Sequence, residues 1–142
     1  MREVLFRAKH IHICLENKHL DGIWVCGYLR DNNYINRQDE DEYGNQFTSE
    51  VLVDPETVCE YTGYRDLRKK HVFEHDIVFC EETGCHGHVV FKDGKFMIKW
   101  EKAADYLISD IHFWFSERRM YVVGNIFDNP ELLEGGRKNA DD

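Results

Sequence analysis

The dipeptide Asp93-Gly94 lies between two alternating runs, Gly87-His-Val-Val-Phe-Lys92 and Lys95-Phe-Met-Ile-Lys-Trp100. Asp and Gly both enter left-handed backbone at low cost, and a two-residue hairpin turn needs that at both central positions. The loop length then fixes the register. Phe91 faces Phe96 and Val89 faces Ile98 on an apolar side. His88 faces Lys99, Val90 faces Met97 and Lys92 faces Lys95 on a mostly polar side. Residues 87–100 therefore specify an antiparallel pair with one face for a core and one for solvent.

Short β-branched and aromatic runs surround this hairpin. Val4–Ala8, Ile11–Leu15, Gly22–Tyr28, Phe47–Val53, Phe73–Cys80 and Tyr121–Ile126 read as strands. Asp54-Pro55-Glu56-Thr57 reads as one helical turn, with Asp54 as N-cap and Pro55 at the first helical position. Glu101–Leu107 reads as a short helix. Ile108–Phe115 reads as an aromatic-rich strand, with Phe113 and Phe115 toward the core and Trp114 opposite. Residues 30–44 show no apolar period and carry the acid run Asp39-Glu40-Asp41-Glu42, so they read as a mobile exposed loop. Residues 135–142 read as a frayed tail. Several short strands at near-regular spacing point to a mainly β fold, a small barrel or roll with some short helix.

Composition sets the outer limits. At 142 residues the chain is about one ordinary domain, or two very small ones, and can bury roughly 70% of its unfolded surface. It needs no metal or disulfide to hold a core. No window approaches the ~20 apolar residues of a membrane span, and the start lacks the apolar run of a secretory signal. The net charge of -9 weighs against non-specific nucleic-acid binding and favours protein surfaces of opposite sign. A local exception is the stretch Arg65-Asp-Leu-Arg68-Lys69-Lys70-His71, whose cations are candidate nucleic-acid contacts. Five cysteines without a Cys-x-x-Cys pair read as reduced thiols of a cytoplasmic protein.

Few residues suggest chemistry. Cys80, Cys85, His86 and His88 form the densest set of metal-capable side chains, but their spacing fits no standard zinc pattern. His10 and His12 share one strand face. Glu74 and Asp76 lie two apart on a strand, a spacing that paired acid–base carboxylates use. No phosphate-binding glycine loop, nucleophile elbow or His-Glu-x-x-His motif is present. The expectation is a non-catalytic protein without cofactor.

Longer motifs add a resemblance. Arg2-Glu-Val-Leu-Phe-Arg-Ala8, Val53-Asp-Pro-Glu-Thr-Val-Cys-Glu-Tyr-Thr-Gly-Tyr-Arg-Asp66 and Val72-Phe-Glu-His-Asp-Ile-Val78 resemble the YopX family of small phage and prophage proteins. Gly87–Phe91, Phe96–Trp100 and Val122–Leu133 match its C-terminal half in order and spacing. The resemblance covers nearly all the chain except the loop and the tail. It implies one domain over 1–134, with an N-terminal β-rich segment over 1–53 and an SH3-like barrel over 54–134. It also implies a phage or prophage origin and a bacterial cytoplasmic location, and it transfers no activity. The family usually has Gly where this chain has His75. If that position needs positive φ, His costs about 1 kcal/mol relative to Gly.

Together these readings predict a protein-binding or assembly module, a homo-oligomer with a host or phage protein partner, whose interface candidates are Phe113, Trp114 and Phe115. Nucleic-acid binding through residues 65–71 is the first alternative. A metal-binding regulator or enzyme at the Cys/His set is the second.

Overall fold

The computed structural model describes residues 4–11, 22–101 and 108–133. The chain packs as two compact units, Met1–Tyr61 and Thr62–Asp142.

In the N-terminal unit, strands β1 (Phe6–Lys9), β2 (Trp24–Arg30), β3 (Tyr34–Glu40) and β4 (Gln46–Leu52) form an antiparallel sheet in the order β4-β3-β2-β1. Strand β5 (Cys59–Arg65) continues it beside β1 and crosses the boundary between the units. Alternation puts Ala8, Val25, Ile35, Val51 and Val53 on the buried side, with Phe6, Leu29 and Val58 packed against them. The ends of β1 and β4 are tied together. His10 bridges Val53, Ile11 N–H donates to Leu52 C=O at 2.9 Å, and Asp54 N–H donates to Lys9 C=O at 2.9 Å. The turn after β4 forms as expected: Asp54 accepts from Glu56 N–H at 3.0 Å, and Pro55–Thr57 make one 3-10 turn.

The segment expected to be an exposed mobile loop instead contains β3. Its polar side chains have low strand propensity, but Ile35 is fully buried opposite Val51, and the ladder runs seven pairs to Glu40 opposite Gln46. Cross-strand partners fix the polar side: Gln38 donates to Thr48 Oγ1 at 2.9 Å, and Arg30 lies 2.6 Å from Glu50. Asp41 accepts from Tyr43 N–H and Asn45 N–H and so closes the tip.

In the C-terminal unit, β7 (Asp76–Cys80), β8 (Cys85–Lys92), β9 (Lys95–Trp100), β10 (Ile108–Asp110) and β11 (Met120–Asn125) form a sheet in the order β10-β9-β8-β7-β11. The β8–β9 hairpin has the register expected from Asp93-Gly94, pair for pair from Gly87–Trp100 to Lys92–Lys95. Asp93 and Gly94 sit at φ 54° and 82°. Val89 and Ile98 are fully buried, whereas Phe91 is exposed at the tip and meets Phe96 edge-on at 5.1 Å. Gly87 is required by close approach, since a Cβ there would stand 2.9 Å from Ile98, Lys99 and Trp100 atoms.

The expected SH3-like barrel does not close. Among the described residues the chain forms two antiparallel sheets, and the end strands β10 and β11 of the second are not paired with each other. Its core is covered by other elements. Val72 of β6 (His71–Phe73), Tyr64 of β5 and helix α1 (Ile111–Glu117) pack on Val78, Cys80, Val89, Ile98, Trp100, Met120 and Val122. Strand β6 reaches β7 through a turn at Glu74-His75, where His75 has φ 72°. The condition attached to the family's glycine, positive φ, is therefore met at that residue.

Of the strand expected over Ile108–Phe115, Ile108–Asp110 forms β10 and helix α1 replaces the rest. Asp110 accepts from His112 N–H at 2.9 Å and starts it. Helical spacing then turns Ile111, Trp114 and Phe115 toward the core and leaves Phe113 exposed. The strand Ile11–Leu15 beyond its first residue, the helix Glu101–Leu107 beyond its first residue, His12 and the tail lie outside the described residues. Among the described residues no helix is long and apolar enough to cross a membrane.

Candidate binding surfaces

Two exposed surfaces carry opposite charge. In the C-terminal unit the stretch 65–71 is a built turn. Asp66 is buried, and its carboxylate accepts from Arg68 N–H at 2.9 Å, Lys70 N–H at 2.8 Å and Val122 N–H at 2.9 Å. Lys69 takes left-handed backbone at φ 68° to complete the loop. Leu67 N–H donates to Met120 C=O at 3.0 Å, so the turn lies against the start of β11. That contact brings Arg65, Arg68, Lys69 and Lys70 beside Arg118 and Arg119, all six exposed.

Aromatic rings adjoin these cations. The Arg68 guanidinium lies 4.7 Å from the Tyr121 ring centre, and Arg118 lies 5.2 Å from that of Phe113. Tyr121, Phe79 and His86 stand abreast on β11, β7 and β8, on the side of the sheet opposite the core, with Phe79 and His86 5.0 Å apart. Two further carboxylates are present. Glu81 accepts from Tyr121 Oη at 3.0 Å and lies 3.6 Å from Arg119 Nε. Glu82 accepts from Arg119 N–H at 2.9 Å, a bond that holds its carboxyl below the usual range. The hydrogen bond to Glu81, and then burial, raise the Tyr121 hydroxyl.

In the N-terminal unit the β3–β4 hairpin is acidic and aromatic. Glu40, Asp41 and Glu42 are exposed, and so are Tyr43 (82%) and Phe47 (47%). Tyr28, on β2 next to β3, is exposed as well.

The other sequence candidates are dispersed. Cys80 pairs with Cys85 across β7–β8 on the core-facing side, whereas His86 and His88 alternate to the opposite side. The set does not converge, and among the described residues no three His, Cys, Asp or Glu side chains are close enough to hold a metal ion. His88 faces Lys99 as expected; burial, then Lys99 and His75, lower its pKa. Asp76 is fully buried and accepts from Phe73 N–H at 2.8 Å, while Glu74 sits in the turn 3.7 Å from His75, so the two acids are not an exposed pair. His10 is half-buried at the His10–Val53 bridge.

Of the aromatic interface candidates, Phe113 is exposed while Trp114 and Phe115 pack on the core. Trp114 was expected to point outward, and helical rather than extended backbone reverses that pattern. Sequence reasoning missed Arg118, Arg119 and Tyr121 because they enter the basic surface only through the long-range Asp66–Val122 contact. The local signal was an Asp followed two and four residues later by the N–H groups it caps.

The family profile described as YopX protein matches residues 9–134. No curated protein matches the chain.

Proposed function

The chain belongs to the YopX family, and on that premise we propose that it is a non-catalytic protein-binding or assembly module. The carrying observation is the β3–β4 hairpin, where exposed Tyr43 and Phe47 sit beside Glu40, Asp41 and Glu42. Exposed aromatic rings are efficient anchors in interfaces, and a rim of one charge selects a partner of the other. The partner is a protein with a basic surface, and the chain works as a homo-oligomer in which a second copy fills that role. This reading includes the phage or prophage origin and the bacterial cytoplasm that accompany the family resemblance. Sedimentation of the chain beside a Tyr43→Ser/Phe47→Ser variant tests it. The expected result is an assembly that the variant reduces to single chains. An assembly that survives the variant overturns the role of the hairpin, and a monomeric parent chain overturns self-assembly.

A further inference from the structure

A strongly acidic chain concentrates cations at one place. With a net charge of -9 overall, it brings Arg65, Arg68, Lys69, Lys70, Arg118 and Arg119 together around a turn pinned to β11. Among the described side chains three carboxylates lie near them, and each is engaged: Asp66 by three backbone N–H groups, Glu82 by Arg119 N–H, Glu81 by Tyr121 Oη and the Arg119 side chain. Among these described side chains the cations outnumber the acids six to three. The rings of Tyr121, Phe79 and His86 form a row across three strands beside them, with the Arg68 guanidinium over the first.

We propose that this surface of the C-terminal unit binds single-stranded nucleic acid, with the cations on the phosphates and the Arg68–Tyr121–Phe79–His86 row stacking against unpaired bases. An acidic peptide without aromatic side chains would use the cations and leave the rings idle. A duplex would meet the cations with its bases stacked inside. An unpaired strand uses both features, and stacking on aromatic rings and guanidinium planes is how sequence-tolerant sites hold it. The negative remainder of the chain confines such binding to this surface. The inference goes beyond the assembly reading, in which the acidic hairpin of a second copy would compete for these cations.

Fluorescence anisotropy with a labelled mixed-sequence single-stranded oligonucleotide tests it, titrated with salt between about 50 and 200 mM. Binding is expected at the low end and to weaken steeply with salt. Arg65→Gln/Lys70→Gln should lower affinity at least tenfold and make the logarithmic salt slope shallower by about 1.4, roughly 0.7 per lost phosphate contact. Arg68→Lys keeps the charge and removes the planar group, so it should lower affinity several-fold with the slope unchanged. Lys92→Gln/Lys95→Gln removes two exposed cations at the β8–β9 tip, away from this turn, and should change affinity less than twofold. No binding at low salt overturns the proposal, as does equal weakening by the Lys92/Lys95 control. Tight binding of a synthetic 38–47 peptide in place of the oligonucleotide would assign the surface to an acidic protein segment and overturn it as well. The Tyr43→Ser/Phe47→Ser variant separates the two proposals, because it should bind the oligonucleotide normally even where assembly is lost.

Discussion

His75 holds left-handed backbone at φ 72° in the turn between β6 and β7, where its N–H donates to Val89 C=O and its C=O accepts from Ile126 N–H. Those bonds need the backbone and not the ring. The ring meets Phe127 edge-on at 5.6 Å and lies near Glu74, which recovers part of the strain. His75→Gly is therefore expected to raise stability by up to about 1 kcal/mol in urea titration, and His75→Ala to lower it. A loss of stability in His75→Gly would show that the ring contacts outweigh the strain. His88 makes a second residue-scale prediction. Burial, Lys99 and His75 depress its pKa, so the folded chain keeps it neutral where the unfolded chain takes up a proton. The unfolded state then binds more protons below about 6.5, and stability falls as pH drops from there toward the lowered folded value. His88→Gln should flatten the thermal midpoint across that window, and an unchanged pH profile would remove His88 as the cause.

Elements here are held by single polar residues at their joints. Asp66 serves three N–H groups, one of them 56 residues away on β11. Asp66→Ala should cost about 3 kcal/mol, because it strands the buried Val122 N–H and opens the turn, and Asp66→Asn about half of that. A cost below about 1 kcal/mol by urea midpoint would show that water replaces the carboxylate. The same kind of joint decides what was legible in the sequence. The β8–β9 hairpin was readable because Asp93-Gly94 meets a local backbone demand that few dipeptides meet. Strand β3 was not, because its polar side chains are held by residues on β4, Gln38 by Thr48 and Asp39 by Ser49. Helix α1 was misread because a short aromatic run fits both periods, and Asp110 at its N-cap was the deciding signal. The basic turn was visible as composition, but its partners Arg118, Arg119 and Tyr121 needed the fold.

At the scale of the whole molecule, charge is unevenly distributed. The N-terminal unit presents acid and aromatic side chains on one hairpin, and the C-terminal unit presents clustered cations on one turn. Each surface is exposed within its own unit, and the core residues behind each form a separate cluster. An interface built on such charges weakens with ionic strength, because exposed pairs more than about 10 Å apart are screened at ordinary salt. Assembly through the acidic hairpin should accordingly be tightest at low salt and dissociate as salt rises. The most direct measurement is native mass spectrometry of the untagged chain, purified without chelator, at low and at high ammonium acetate. An integer multiple of the single-chain mass is expected at low salt, with a shift toward the single chain at high salt. A single-chain mass under both conditions would contradict the assembly reading.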